Sequence, residues 1–335
     1  MEAQFERPRR ASRRLQLAFD AGHLNERGTD VALWDYAHFA ELLLGHRSRI
    51  LCPADADLTA LDKFRQRFSV FLYADPRDRQ AALRDVDVYY EIVHGSDFGE
   101  ELVRPPEGRL VRHAVFSADA PRGDVYAAVS DWVATHRGPL GVTVPVVPHM
   151  VWLPRVEGDL REELGIPPDA VVLGRHGGPS TFDLPFVHAE VVAAVQRRPE
   201  LYFVFLNTAR FCEAHPRILH LDATTDPERK ARFVQTCDGM LHGRSDGETF
   251  GLSVGEFSIL GRPVLTWLGG TDRHHIDVLG DKGLYYADGA QLRQLLDRFV
   301  PGPGEFDAFS ERFSPAAVMQ RFDEVFLAPA PAPLG

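Results

Sequence analysis

Cysteine is scarce in this chain. There are three in 335 residues, Cys52, Cys212 and Cys237, widely spaced and with no CxxC pair. That argues against a zinc ribbon or a disulfide framework and suits reduced thiols. Long apolar runs are also missing: none reaches the roughly 18 residues that would span a bilayer. The N-terminal stretch has no hydrophobic core of the secretory kind. A cytoplasmic protein is expected, with at most peripheral contact at the inner membrane surface through the basic stretch RPRRASRR at 7–14. Positive charge is in deficit. The net charge of −11 does not suit a general nucleic-acid binder, whose affinity comes mostly from phosphate contacts. Aromatic residues make up 10% and are dispersed, so composition does not separate one enzyme class from another.

What is present is a soluble composition, 44% hydrophobic and 25% charged, in a length that suits two domains. Apolar runs of strand length alternate with amphipathic stretches. Strands are expected at 15–19, 49–52, 70–73, 86–93, 110–116 and 124–129, with helices at 30–44 and 58–68 and a short one beginning at Ser130. The pattern restarts after the proline-marked segment 144–159. Strands are then expected at 170–174, 201–206, 217–221, 239–242 and 263–267, and helices at 185–197, 226–236 and 251–260. Such alternation gives parallel sheets covered on both faces. The expected fold is α/β, two Rossmann-like domains facing a cleft. The expected divisions are a disordered basic tail at 1–13, an acceptor-side domain at 14–145 and a donor-binding domain at 146–305. A helix at 306–327 returns to the first domain, and 328–335 is a disordered end.

The segment LHGRSDGETFGLSVGEFSILGRPVLT, 241–266, carries the chemistry. A short strand ends at His242, a polar loop holds Glu248, and Gly251 opens a helix bearing Glu256. The N-terminus of that helix should point into the crevice at the carboxyl edge of the sheet. Its free N–H groups there favour an anion such as a diphosphate. Glu248 can meet neutral sugar hydroxyls, and Glu256 can accept bonds from a ribose diol.

This segment resembles the E-x7-E signature of retaining GT-B glycosyltransferases, in particular glycosyltransferase family 4 (group 1). Ser245, Glu248, Phe250, Gly251, Leu252, Glu256, Gly261, Pro263 and Val264 match it. Phe257 and Ile259 replace the usual alanines, and Arg244 the usual proline. The match is strong over about 150–270 and weaker before it. Arg175, in VVLGRHGG, matches the arginine that binds the donor diphosphate. The lysine that usually follows is missing, since His176 to Asp183 contains none. Arg244 or loop N–H groups take its place in this reading. Gly28, in the loop before a long helix, resembles the glycine that lets the backbone approach the donor phosphates. His113 matches a histidine near the transferred sugar.

The resemblance implies a retaining transferase. It would move a sugar from a nucleoside-diphosphate sugar to a glycan, lipid or small-molecule acceptor, without a metal or other cofactor. Glu248, His113 and Arg175 would be its catalytic residues. Gly28, Arg175, Asn207, Arg244, Glu248, Phe250, Gly251, Leu252 and Glu256 would form the donor site, with Asn207 and His220–Asp222 near the base. The alternatives are an epimerase or hydrolase acting on the donor, or a non-catalytic nucleotide-sugar-binding module. His274 and His275 have no third ligand at useful spacing, so no metal is assigned to them. The DxD triplets at 55–57 and 85–87 read as turn and cap residues.

Overall fold

The computed structural model describes residues 13–99, 101–302 and 304–328. The remainder of both expected tails lies outside the described residues. The chain divides into two compact units. One comprises the described residues up to Met150 together with those from Arg312 onward, and the other is Val151–Glu311.

In the first unit the chain runs through β1 (Gln16–Asp20), α1 (Gly28–Leu42), β2 (Arg47–Pro53), α2 (Leu61–Arg65), β3 (Ser69–Tyr73), α3 (Pro76–Ala82), β4 (Val88–Val93), β5 (Arg109–Ala114), β6 (Val125–Ala128) and α4 (Asp131–His136). The six strands form a parallel sheet in the order β3-β2-β1-β4-β5-β6. β1 and β5 are buried almost throughout and β4 over its first half, as expected for strands of a sheet with helices on both faces. Ser130 caps α4 by accepting from the Val133 amide. α3 buries none of its side chains, which is why it leaves no apolar period in the sequence.

The second unit contains β7 (Val171–His176), α5 (Pro185–Arg197), β8 (Leu201–Leu206), β9 (Ile218–Leu221), α6 (Pro227–Thr236), β10 (Gly239–His242), β11 (Gly247–Glu248), α7 (Leu252–Ile259), β12 (Val264–Trp267), β13 (Asp272–Arg273), α8 (His274–Leu279), β14 (Leu284–Tyr286) and α9 (Gly289–Arg298). Its parallel sheet has the order β14-β12-β10-β7-β8-β9. α5 and α9 cover one face over a core that includes Val187, Val191, Phe203, Phe205, Leu292 and Leu296.

The single helix expected at 306–327 is corrected. It is two helices, α10 (Ser310–Phe313) and α11 (Pro315–Phe322), followed by a π turn at Asp323–Leu327. The break has a local cause. Ser314 is extended and accepts from the Ala317 amide, and Pro315, which has no N–H, takes the first helical position. Phe322 of α11 stacks on Phe19 of β1 and Tyr36 of α1, so α11 is part of the first unit's core.

Candidate donor site at the carboxyl edge of the second sheet

The strands following β7 extend the second sheet one way, and those following β10 extend it the other. The crevice between the carboxyl ends of β7 and β10 is therefore a topological switch point, where open α/β sheets bind ligands. β7 ends on Arg175 and His176, and β10 ends on His242. Alternation along β7 sends these two neighbouring side chains to opposite faces of the sheet.

Arg175 is 3% exposed. Its Nη1 donates to Thr208 Oγ1 at 2.6 Å and its Nη2 to Thr181 Oγ1 at 2.5 Å. The guanidinium lies 5.3 Å from the centre of the Phe182 ring. Nε has no hydrogen-bond partner, and among the described residues no carboxylate comes within ion-pairing distance. Burial is the main reason that its pKa falls to about 10. It thus stays a cation at neutral pH, held by neutral hydroxyls. Asn207 supplies the turn that delivers Thr208. It sits at φ 51°, a left-handed conformation that asparagine tolerates better than most residues.

Glu248 is fixed by a two-residue ladder. Gly247 and Glu248 pair with Asp272 and Arg273. Gly247 has φ 77°, and a Cβ there would fall 2.0 Å from the Asp272 carbonyl oxygen. The Glu248 carboxylate meets Arg244 Nη1 at 3.0 Å and His242 Nε2 at 3.2 Å. Burial pushes its pKa up, but His242, Arg244 and His275 outweigh it and hold the group at about 2. Asp183 fastens the loop after β7 to the loop after β10, accepting from the Ser245 amide at 2.7 Å and its hydroxyl at 2.5 Å.

α7 begins after Gly251, which has φ 93° and no side-chain cap. Leu252 is the first helical residue, so the amides of the opening turn are left for other acceptors. Glu256 lies one turn further in and is 3% exposed. Its oxygens meet Lys230 Nζ at 2.5 Å and His176 Nε2 at 2.7 Å. Burial again pushes upward, and Lys230 and His176 hold its pKa at about 2.

The structure thus brings Arg175, Asn207, Arg244, Glu248, Gly251, Leu252 and Glu256 to one edge of one sheet. Several expectations need correction. Glu256 does not present a free carboxylate to a ribose, because Lys230 and His176 occupy it. The Phe250 side chain is not available to a ligand: it is buried, stacked on His274 with ring centres 5.5 Å apart. In the first unit, Gly28 is the first residue of α1 rather than a loop residue. His113 is a core residue. It is fully buried, its Nδ1 meets the Tyr90 hydroxyl at 2.7 Å and its Nε2 meets the Val147 carbonyl at 2.8 Å. Burial lowers its pKa to about 3, so it is a neutral, doubly engaged ring and not a group facing a sugar. Both triplets are explained locally. Asp57 accepts from Thr59 and Asn25, and Asp85 forms a two-point pair with Arg49.

His176, Lys230, Thr181, Thr208 and the contribution of His242 and His275 do not stand out in the sequence. His176 had a signal, being next to Arg175 at a strand end. Lys230 had none, because only the packing of α6 brings it to Glu256. No group of three or more His, Cys, Asp or Glu side chains suited to a metal occurs among the described residues.

Solved structures share this fold across nearly the whole chain. The Anabaena protein Alr3699/HepE, solved with UDP-glucose, has a TM-score of 0.70 at 15% identity, over 92% of this chain and 98% of that one. A glycosyltransferase from Rickettsia africae has a TM-score of 0.65 at 12% identity, over 93% and 98%. The fold is GT-B. A Listeria monocytogenes protein assigned to the UDP-N-acetylglucosamine 2-epimerases shares this fold, with a TM-score of 0.56 at 12% identity over 95% and 99%. GT-B proteins therefore include both transferases and epimerases, and similarity at these identities speaks to the fold. No family model and no curated protein matches the sequence.

Proposed function

We propose that this GT-B protein transfers a sugar from a nucleoside-diphosphate sugar to a hydroxyl-bearing acceptor, a glycan, a lipid or a small molecule. The observation that carries the reading is Arg175: a buried guanidinium without a carboxylate partner, at the sheet's switch point. A buried charge left unpaired is costly, and an anion at that edge would offset it. The guanidinium's paired donors suit phosphate. In this reading Arg175, Arg244 and the amides opening α7 meet the charge of the diphosphate, so no metal is required. Glu248, an ionised carboxylate, accepts hydrogen bonds from the sugar's hydroxyls.

Transfer proceeds with retention. The bond from C1 to the diphosphate oxygen breaks as the acceptor hydroxyl oxygen bonds to C1 on the same face, and the leaving diphosphate takes the hydroxyl proton. Arg175 and the α7 amides stabilise the charge that grows on the leaving group.

The test is a screen of sugar nucleotides for acceptor-dependent release of nucleoside diphosphate, with Glu248→Gln and Arg175→Ala as controls. Wild-type activity that both variants lose is expected. Failure to bind any sugar nucleotide at about 1 mM, the weak end of the affinity scale, overturns the reading. The likeness to the Listeria protein favours a second reading, epimerisation or hydrolysis of the donor. Donor turnover with no acceptor present would select it. Tight donor binding without turnover would instead mark a binding module.

A further inference from the structure

Behind Glu248 lies a chain of polar side chains that the proposed chemistry does not use. Glu248 Oε1 is 3.2 Å from His242 Nε2. His242 Nδ1 is 2.9 Å from Thr266 Oγ1, and the same oxygen is 3.1 Å from His275 Nε2. The chain joins the ends of β10, β12 and α8 and is buried from His242 onward. The backbone at His242 is fixed as well, since its carbonyl accepts from the Tyr286 hydroxyl at 2.6 Å.

Proton counting gives this chain one arrangement when both rings are neutral. An ionised carboxylate only accepts, so His242 carries its hydrogen on Nε2. Its Nδ1 is then bare and must accept from Thr266. That hydroxyl has one hydrogen, so His275 must donate from Nε2 to the Thr266 oxygen. The remaining atom, His275 Nδ1, is then a bare acceptor. It is buried and has no hydrogen-bond partner among the described residues, which fits an acceptor better than a stranded N–H. Burial and the neighbouring His242 hold the His275 pKa at about 3, which keeps that ring neutral. The other charged or titratable groups around the chain are Arg175, Arg244, Arg273, His274 and Tyr286.

We propose that His242, locked into one tautomer by Thr266 and His275, is a positioning residue that aims the Glu248 carboxylate at the sugar of a nucleoside-diphosphate sugar. This rests on the donor reading above. Arg244 takes Oε2 and His242 takes Oε1, one partner for each oxygen. Each oxygen keeps further acceptor capacity, and the pair of them suits two neighbouring sugar hydroxyls. An anionic substituent at that position would be repelled.

The full-length chain tests this with Thr266→Val, which keeps the shape and removes the hydroxyl, and Thr266→Ser, which restores it. Calorimetric affinities are measured for UDP against UDP-glucose and for GDP against GDP-mannose, and imidazole nitrogen shifts are recorded by NMR. In wild type both His242 and His275 should be protonated on Nε2 at neutral pH. Thr266→Val should weaken the sugar nucleotide by about tenfold, the upper range for one hydrogen bond, and leave the bare diphosphate unchanged. Thr266→Ser should recover the loss. An equal loss for both ligands would mean a structural role and overturn the proposal, as would no loss, or a His242 proton found on Nδ1. If wild type binds none of the four ligands, the donor reading itself falls for these bases and sugars, and the positioning role falls with it. If wild type prefers a sugar nucleotide and Thr266→Val keeps that preference, only the positioning role falls.

Discussion

Lys230 Nζ lies 2.5 Å from Glu256 Oε1, an ion pair that links α6 to α7 across 26 residues of sequence. It accounts for a glutamate inside an apolar helix. The carboxylate is tolerated there because a lysine and a histidine enclose it. Removing one partner should therefore cost more than removing both. Lys230→Met should destabilise the protein by about 3–5 kcal/mol, the usual consequence of leaving a buried charge unpaired. The double variant Lys230→Met/Glu256→Gln should recover most of that loss. Urea unfolding of the two variants checks the difference.

Glu248 and Glu256 add to the response to acid, beside the buried neutral rings of His113 and His275. Both glutamates have folded pKa values near 2, below the ordinary 4.5. Their contribution is complete above pH 4.5 and is lost as the pH falls towards 2, because the unfolded chain takes up those protons first. Wild type should lose stability steeply over that window. A Glu248→Gln variant should show a shallower loss, read from melting temperatures between pH 2 and 6.

Two glycines with similar φ angles separate backbone strain from collision. Gly247 has φ 77° and would place a Cβ 2.0 Å from the Asp272 carbonyl oxygen. Gly45 has φ 74° and nothing within 4 Å. Gly45→Ala should cost about 1–2 kcal/mol, the left-handed penalty for a side chain. Gly247→Ala should cost more, and by displacing Glu248 it should also lower sugar-nucleotide turnover at least ~10-fold. Thermal melts and donor-release assays on both variants check the contrast.

His113 should behave as a core residue. His113→Leu strands the Tyr90 hydroxyl and the Val147 carbonyl, and should cost about 1–3 kcal/mol for each group left unsatisfied. Donor affinity should be unchanged in the variant that remains folded. Calorimetric melting together with a nucleotide titration distinguishes this from a catalytic role.

The order of strands and helices is legible in the sequence because each long element buries one face. Pro185–Arg197, Leu201–Leu206 and Gly239–His242 can be read to the residue from their apolar spacing and flanking punctuation. α3 cannot, since it buries nothing. The pairing of Gly247–Glu248 with Asp272–Arg273 is too short to have a period. In the site, Arg175 and Glu248 can be read because they stand at strand and loop ends. The surroundings of Glu256 cannot, because Lys230 and His176 come from other elements. His113 shows the opposite difficulty. A histidine in an apolar strand looks alike whether it serves chemistry or the core, and only its partners, Tyr90 and Val147, decide.

The unpaired Arg175 has a bearing on how long the protein lasts in a cell. The fold carries there a cation that it meets with two threonine hydroxyls and an aromatic face. Any anion that occupies this corner adds its binding energy to the folded state alone, and so lowers the population open to proteases. The abundance of the protein would then follow the supply of its own ligand, rising when the ligand is plentiful and falling when it runs short, with no separate sensor needed.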